Sequence, residues 1–306
     1  MATPSATESP TLIVLAAGMG SRFGGDKQIA NVGPRGETIL DFTTFDALRS
    51  GFGDMILVVR RENQATVAAM VGDRIARHIP VRYVFQDIAV PLPGLRSPPG
   101  RTKPWGTGHA LACALRGLDH PCGVVNADDW YSPTGIRALA ALLARRDATG
   151  VLVTYPLVRT LSPNGPVNRA VCASDAHGLL TAIDETIGIV AGAQGPELRG
   201  RDGTVTKRLA PDTKVSLNLW GFQRDFYQPF IADVEAFIRS NRLSTTDECM
   251  LPTLAMTGCT NHGWTLRAEL AQADWTGLTY QEDRPAVQAR LQAATDAGDY
   301  PSPLWS

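Results

Sequence analysis

A run of apolar residues opens into four glycines and two cations: Leu12-Ile13-Val14-Leu15-Ala16-Ala17-Gly18-Met19-Gly20-Ser21-Arg22-Phe23-Gly24-Gly25-Asp26-Lys27. Glycines placed so let backbone N–H groups close on an anion, while Arg22 adds a forked donor set for phosphate oxygens and Lys27 a mobile point charge. The chemistry is that of a triphosphate cradle. An ordinary strand-to-helix turn needs fewer glycines. A dinucleotide fingerprint needs G-x-G-x-x-G, and Gly18, Gly20 and Gly24 are one residue too widely spaced; the following strand, ending Val58-Val59-Arg60-Arg61, has no acid for a ribose. A P-loop is excluded, because no glycine is followed by a lysine and a hydroxyl residue.

A second set lies in Gly123-Val124-Val125-Asn126-Ala127-Asp128-Asp129, an apolar strand that delivers two carboxylates at its C-terminal end. Ligands of open α/β sheets gather at that edge, and one carboxylate beside nucleotide phosphates is how Mg²⁺ is caught. Asp129 is also placed to cap the helix that starts near Pro133. Further on, Lys103-Pro104-Trp105-Gly106-Thr107-Gly108-His109-Ala110 sets small hydrogen-bonding residues at the mouth of a helix, whose first N–H groups are free. His109 is expected to pack, since phosphoryl transfer relies on charge and positioning.

With these residues in view, the chain resembles the sugar-phosphate nucleotidyltransferases, whose signature is a strand, L-A-x-G-x-G-x-R, then a lysine. Leu15 to Arg22 with Lys27 matches it. The resemblance implies a GT-A-like, Rossmann-like doubly wound α/β fold. Its sheet is mixed but mostly parallel, with an antiparallel substrate-binding portion. It implies that Leu15, Ala16, Ala17, Gly18, Gly20 and Ser21 wrap the nucleotide, that Arg22 and Lys27 hold phosphates, and that Asp128 binds Mg²⁺. Gly106-Thr107-Gly108-His109-Ala110 is similar to the G-T-G-H-A of uridylyltransferases that make UDP-N-acetylglucosamine. Gly106, Thr107 and Gln86 are then expected at the base, with UTP as donor ahead of dTTP or CTP. A second metal ligand is expected late in the chain, at Asp274 or Asp283, with Asp283 favoured although it also suits an N-cap. Ala182-Ile183-Asp184-Glu185 and Val215-Ser216-Leu217-Asn218 resemble strands whose Glu185 and Asn218 meet sugar hydroxyls. Arg169 is the candidate for the acceptor phosphate, with Lys207 and Lys214 as rivals. The implied reaction joins a nucleoside triphosphate to a sugar 1-phosphate. The alternatives are a cytidylyltransferase for a phosphonate, phosphocholine or polyol phosphate, a glycosyltransferase, for which Asp128-Asp129 lacks the D-x-D spacing, and a nucleotide-sugar sensor.

These residues must be positioned by alternating elements. Strands are expected at Thr11–Leu15, Asp54–Val59, Val81–Phe85, Cys122–Asn126 and Val151–Tyr155, with helices at Thr38–Arg49, Asn63–Val71, Gly108–Arg116 and Thr134–Arg145. Such alternation predicts a parallel sheet with crossover helices. The later chain reads as a hairpin over Ala170–Val190, a strand at Val215–Phe222, and helices at Asp225–Arg239, Thr246–Met256 and Pro285–Ala297. Ala191–Thr213 has no apolar period and reads as an exposed flap. Five prolines exclude regular structure from Asp87–Pro104, which is either a rigid arm or a lid.

The 306 residues are expected to form one domain after a tail at 1–10, the nucleotide held by about 11–155 and the sugar by about 156–306. A net charge of −1 gives no reason to expect nucleic acid or an anionic membrane as partner. The five cysteines form no C-x-x-C pair, and neither a signal peptide nor a membrane span is read, so a cytoplasmic enzyme is expected. The polar flap and residues 300–305 are segments that could dock on a second subunit of a homo-oligomer.

Overall fold

A computed structural model describes residues 9–18, 31–200, 202–278 and 280–305. Gly20, Ser21, Arg22 and Lys27 lie outside the described residues, as does the tail at 1–8.

The expected alternation is present. Strand β1 (Thr11–Leu15) precedes helix α1 (Ile39–Arg49), β2 (Asp54–Val59), β3 (Val81–Phe85), α2 (Thr107–Leu115), β4 (Cys122–Asn126), β5 (Asp129–Trp130), α3 (Ser132–Arg145) and β6 (Gly150–Pro156). Thr38 starts α1 through a capping box with Asp41, which satisfies two otherwise orphaned donors. Strands β1, β2, β3 and β4 pair in parallel, with β1 between β2 and β4. Helices cover both faces, so these strands are continuous apolar runs instead of alternating ones; Leu12, Ile13 and Val14 are wholly buried.

The continuous helix expected at Asn63–Val71 is a correction. Residues 61–75 run through 3₁₀, α, π and α turns in succession. The buried residues Val67, Val71 and Ile75 repeat every four positions. An α-helix would rotate that stripe away from the core, and the wider π turn keeps it facing inward.

The second half supplies β7 (Val167–Ser174), β8 (Leu180–Gly192), β9 (Gly195–Arg199), β10 (Val205–Arg208), β11 (Lys214–Phe222), α4 (Tyr227–Ser240), α5 (Leu251–Asn261), β12 (Leu266–Leu270), β13 (Thr276–Gly277) and α6 (Arg284–Asp296). Among the described residues the main sheet has eleven strands, with the order β10-β9-β8-β7-β11-β4-β1-β2-β3, and with β6 on β11 and β12 on β6. The flap expected at Ala191–Thr213 is therefore corrected to the β9–β10 ribbon. Every residue of β10 is exposed at the sheet edge, so no apolar period marks it. The helix expected at Thr246–Met256 begins instead at Leu251, where Pro252 suits a first turn, and residues 241–250 form a loop. Strand β12 was not anticipated; it extends the sheet by parallel pairing with β6.

Strand β11 joins the two halves. Val215 and Ser216 pair with β7, whereas Trp220, Gly221 and Phe222 pair antiparallel with β4. Between these pairings the register against β6 shifts, and residues 217–219 belong to neither neighbour. The sheet splits there, beside the C-terminal end of β4. The C-terminal segment packs on its own chain: Tyr300 and Leu304 are buried with α1 and α6, and Trp305 Nε1 donates to Asp41. Among the described residues, no helix is long and apolar enough to cross a membrane.

Candidate active site

Two cavities meet at the split in the sheet. The larger, about 810 Å³, runs from Leu15, Ala17 and Gly18 at the end of β1 to Gln86, Gly106 and Thr107. The smaller, about 220 Å³, is walled by Asp129, Asn168, Arg169, Glu185, Ser216 and Trp275. Asn126, Asp128, Asn218 and Met250 line both. The two chambers thus share a wall at Asp128.

The wall of the larger chamber is built by close backbone approach. Gly106 has φ +92°, and a Cβ there would stand 2.6 Å from the carbonyl oxygen of Cys249. The two strips are tied by Gly108 N donating to Cys249 O and Cys249 N to Trp105 O, each at 2.8 Å. Thr107 Oγ1 accepts from Leu251 N and so caps α5. Gln86, almost wholly buried, donates through Nε2 to Gly106 O at 2.8 Å and lies 3.3 Å from His109 Nδ1. His109 is fully buried with Nε2 2.6 Å from Pro91 O, and burial pulls its pKa down to about 4. Its neutral tautomer, N–H toward Pro91, packs the proline arm onto α2, as the sequence suggested.

The arm itself is a fixed wall. Leu92 and Leu95 are buried, and Arg101 donates to the carbonyls of Pro104, Ser244 and Asp247 while lying 3.5 Å over the ring of Trp105. Lys103 and Glu248 form an ion pair at 2.6 Å. The arm and the 241–250 loop together close one side of the larger chamber, which Gly100, Lys103, Thr246 and Glu248 line.

At the junction, β4 ends in Asn126, and Asp129 is drawn into β5, which pairs with β13. Asp129 Oδ2 accepts from Asn126 Nδ2 at 2.8 Å. The sequence reading of Asp129 as a cap for α3 is corrected: Tyr131 occupies that position, with no capping side chain. Asn218 adopts φ +60°, a left-handed conformation that asparagine tolerates better than most residues. Its Nδ2 reaches toward Asn126 Oδ1 at 3.4 Å.

A profile for the MobA-like NTP transferase domain matches residues 12–186. The chain belongs to that family. This nucleotidyltransferase also shares its fold with solved structures at low identity. One is a Bacillus anthracis protein assigned as a glucose-1-phosphate thymidylyltransferase, at 13% identity and TM-score 0.63, covering 93% of this chain and 96% of that one. A second is the inositol-1-phosphate CTP transferase of T. maritima, at 13% identity and TM-score 0.60 with the same coverage. A third is HddC from Yersinia pseudotuberculosis, at 11% identity and TM-score 0.57, covering 92% and 99%. No curated protein matches the chain.

In the nucleotidyltransferase, Arg169 is buried and forked onto Thr160 and Asn168 O, with its guanidinium 5.0 Å from the Trp275 ring. Burial lowers its pKa, opposed first by Asp129 and then by Glu185. Its rivals stand elsewhere: Lys207 is on the exposed edge strand and Lys214 bonds Ser174. Glu185 faces the smaller chamber, where desolvation raises its pKa against the pull of Arg169. Neither candidate for a second metal ligand lines the two chambers. Asp283 accepts from Ser162, Asn164 and Tyr280 N and lines a neighbouring cavity that shares Arg169 and Trp275 with the smaller chamber, while Asp274 pairs with Arg290 at the surface. Trp275 was missed by sequence reasoning. Its signal was a large aromatic in the polar stretch Asp274-Trp275-Thr276-Gly277, outside any apolar period.

Proposed function

We propose that the chain transfers a nucleotidyl group from UTP to a sugar 1-phosphate. The observation that carries this reading is the pair of chambers sharing Asn126, Asp128 and Asn218. The larger takes the nucleotide, with its base toward Gln86, Gly106 and Thr107 and its phosphates toward the glycine loop, where Arg22 and Lys27 hold them. The smaller takes the acceptor: Arg169 binds its phosphate, Glu185 and Asn218 accept and donate to its hydroxyls, and Trp275 gives an apolar face. The segment 11–155 supplies most of the nucleotide side and 156–306 most of the acceptor side, within one domain.

An acceptor phosphate oxygen attacks the α-phosphorus in line, the bond to the bridging oxygen breaks, and pyrophosphate leaves. Both reactants are held together, so no covalent enzyme intermediate is needed. Asp128 with Asp129 beside it suits Mg²⁺, which takes one or two carboxylates and fills its shell with waters and phosphate oxygens. Bound there, the ion would offset charge on the α-phosphoryl group.

Cytidylyl transfer to a polyol phosphate is the second reading, supported by the likeness to an inositol-1-phosphate CTP transferase. The test is pyrophosphate release with Mg²⁺ across UTP, dTTP, CTP, ATP and GTP, each paired with sugar 1-phosphates, inositol 1-phosphate and phosphocholine, beside Asp128→Ala. Release with UTP and one sugar 1-phosphate, lost in the variant, is expected. Release with CTP and a polyol phosphate selects the second reading, and silence from folded protein across the panel contradicts both.

A further inference from the structure

We propose that Tyr131 is a positioning residue that holds the acceptor side of the cleft in its working shape, an inference that rests on the function proposed above. Its hydroxyl lies between the two strands that meet at the split. It accepts from Asn126 N at 3.1 Å and donates to Leu217 O at 2.7 Å, with Asp129 Oδ2 at 3.3 Å as a longer alternative. One phenol therefore ties the residue before Asn218 to the end of β4, just ahead of Asp128 and Asp129.

Backbone strain marks the same place. Asn218 and Ser132 are left-handed at φ +60° and φ +59°. Such conformations persist in residues other than glycine only where their surroundings over-determine them. Tyr131 touches both: it precedes Ser132 in the chain and bonds the neighbour of Asn218. The backbone of Tyr131 is fixed in turn, since its carbonyl accepts from Tyr155 Oη at 3.0 Å. Tyr155 fits only because Gly135 is glycine; a Cβ there would stand 2.3 Å from the Tyr155 hydroxyl.

The test compares Tyr131→Phe with Tyr227→Phe, which removes a buried hydroxyl that donates to His120 O, away from the junction. Initial rates are measured with both substrates varied, and amide hydrogen exchange is followed at Leu217–Leu219. Tyr131→Phe, which loses both bonds of the hydroxyl, is expected to raise the acceptor KM about tenfold, with triphosphate KM and kcat near wild type. Exchange at Leu217–Leu219 is expected to quicken in Tyr131→Phe alone. The proposal is overturned if that exchange is unchanged, or if both variants raise both KM values together. Absence of turnover in the wild-type enzyme would defeat the functional reading, and the exchange result would still decide the role of Tyr131.

Discussion

The two chambers are made in different ways. The larger is walled by backbone: by the end of β1 as far as Gly18, by Gly106 and Gly108 against Cys249, and by the proline arm clasped to the 241–250 loop. The smaller is walled by side chains from β7, β8, β11 and the turn before β13, which meet only after the antiparallel half has folded. A backbone cradle suits the phosphates that every nucleoside triphosphate carries, whereas under the proposed function the side-chain cage would set acceptor specificity. The junction residue Asp128 belongs to both, and removing it should affect both reactants at once.

The largest expected effect is at that junction. Asp128→Ala should lower kcat by about a thousandfold or more, the scale seen when a charge-stabilising group is lost from a reacting centre. A loss confined to one substrate's KM would mean that Asp128 serves a single chamber. Next comes Gly106→Ala. The new methyl would meet Cys249 O at 2.6 Å on a backbone at φ +92°. Overpacking and left-handed strain together should cost about 3–4 kcal/mol, read as a lower thermal midpoint and a raised triphosphate KM. An unchanged midpoint would show that the backbone wall is not rigid.

His109 gives a pH test of the same wall. Its pKa in the fold is about 4, against about 6.5 for the unfolded chain. Between those values the unfolded state binds more protons, so stability is full above the unfolded value and is lost as pH falls through the folded one. Chemical denaturation at pH 7.5 and pH 4.5 should differ by about 2–3 kcal/mol from this group, and His109→Gln should remove that part of the slope. An equal slope in the variant would place the acid sensitivity elsewhere. The smallest effect sharpens the other side: Arg169→Lys keeps the charge but loses the fork onto Thr160, so the acceptor KM should rise about tenfold while the triphosphate KM stays put.

The same contrast explains what the sequence disclosed. The parallel strands and α1, α2 and α3 follow from local apolar runs, caps and glycines, and Asp128 follows from the strand that ends beside it. That Gly106 and Thr107 line a chamber was legible because a short motif sits at a helix mouth, whereas Gln86 was expected beside them only through the resemblance. Tyr131 and Trp275 were not, since their meaning comes from Leu217 O and Arg169, which lie 86 residues away in one case and across the sheet in the other. Asp283 was expected as a ligand because the resembling family places an aspartate or asparagine near this turn; that Ser162 and Asn164 hold its carboxylate was not legible, since they lie far away in sequence. The β9–β10 ribbon escaped because an edge strand with solvent on every residue has no apolar signature.

The most direct measurement is a two-substrate rate analysis of Gln86→Ala and Glu185→Gln beside the wild type. Separate chambers predict that Gln86→Ala raises only the triphosphate KM and Glu185→Gln only the acceptor KM. If each variant moved both KM values by similar factors, the division of the cleft into a nucleotide side and an acceptor side would be wrong.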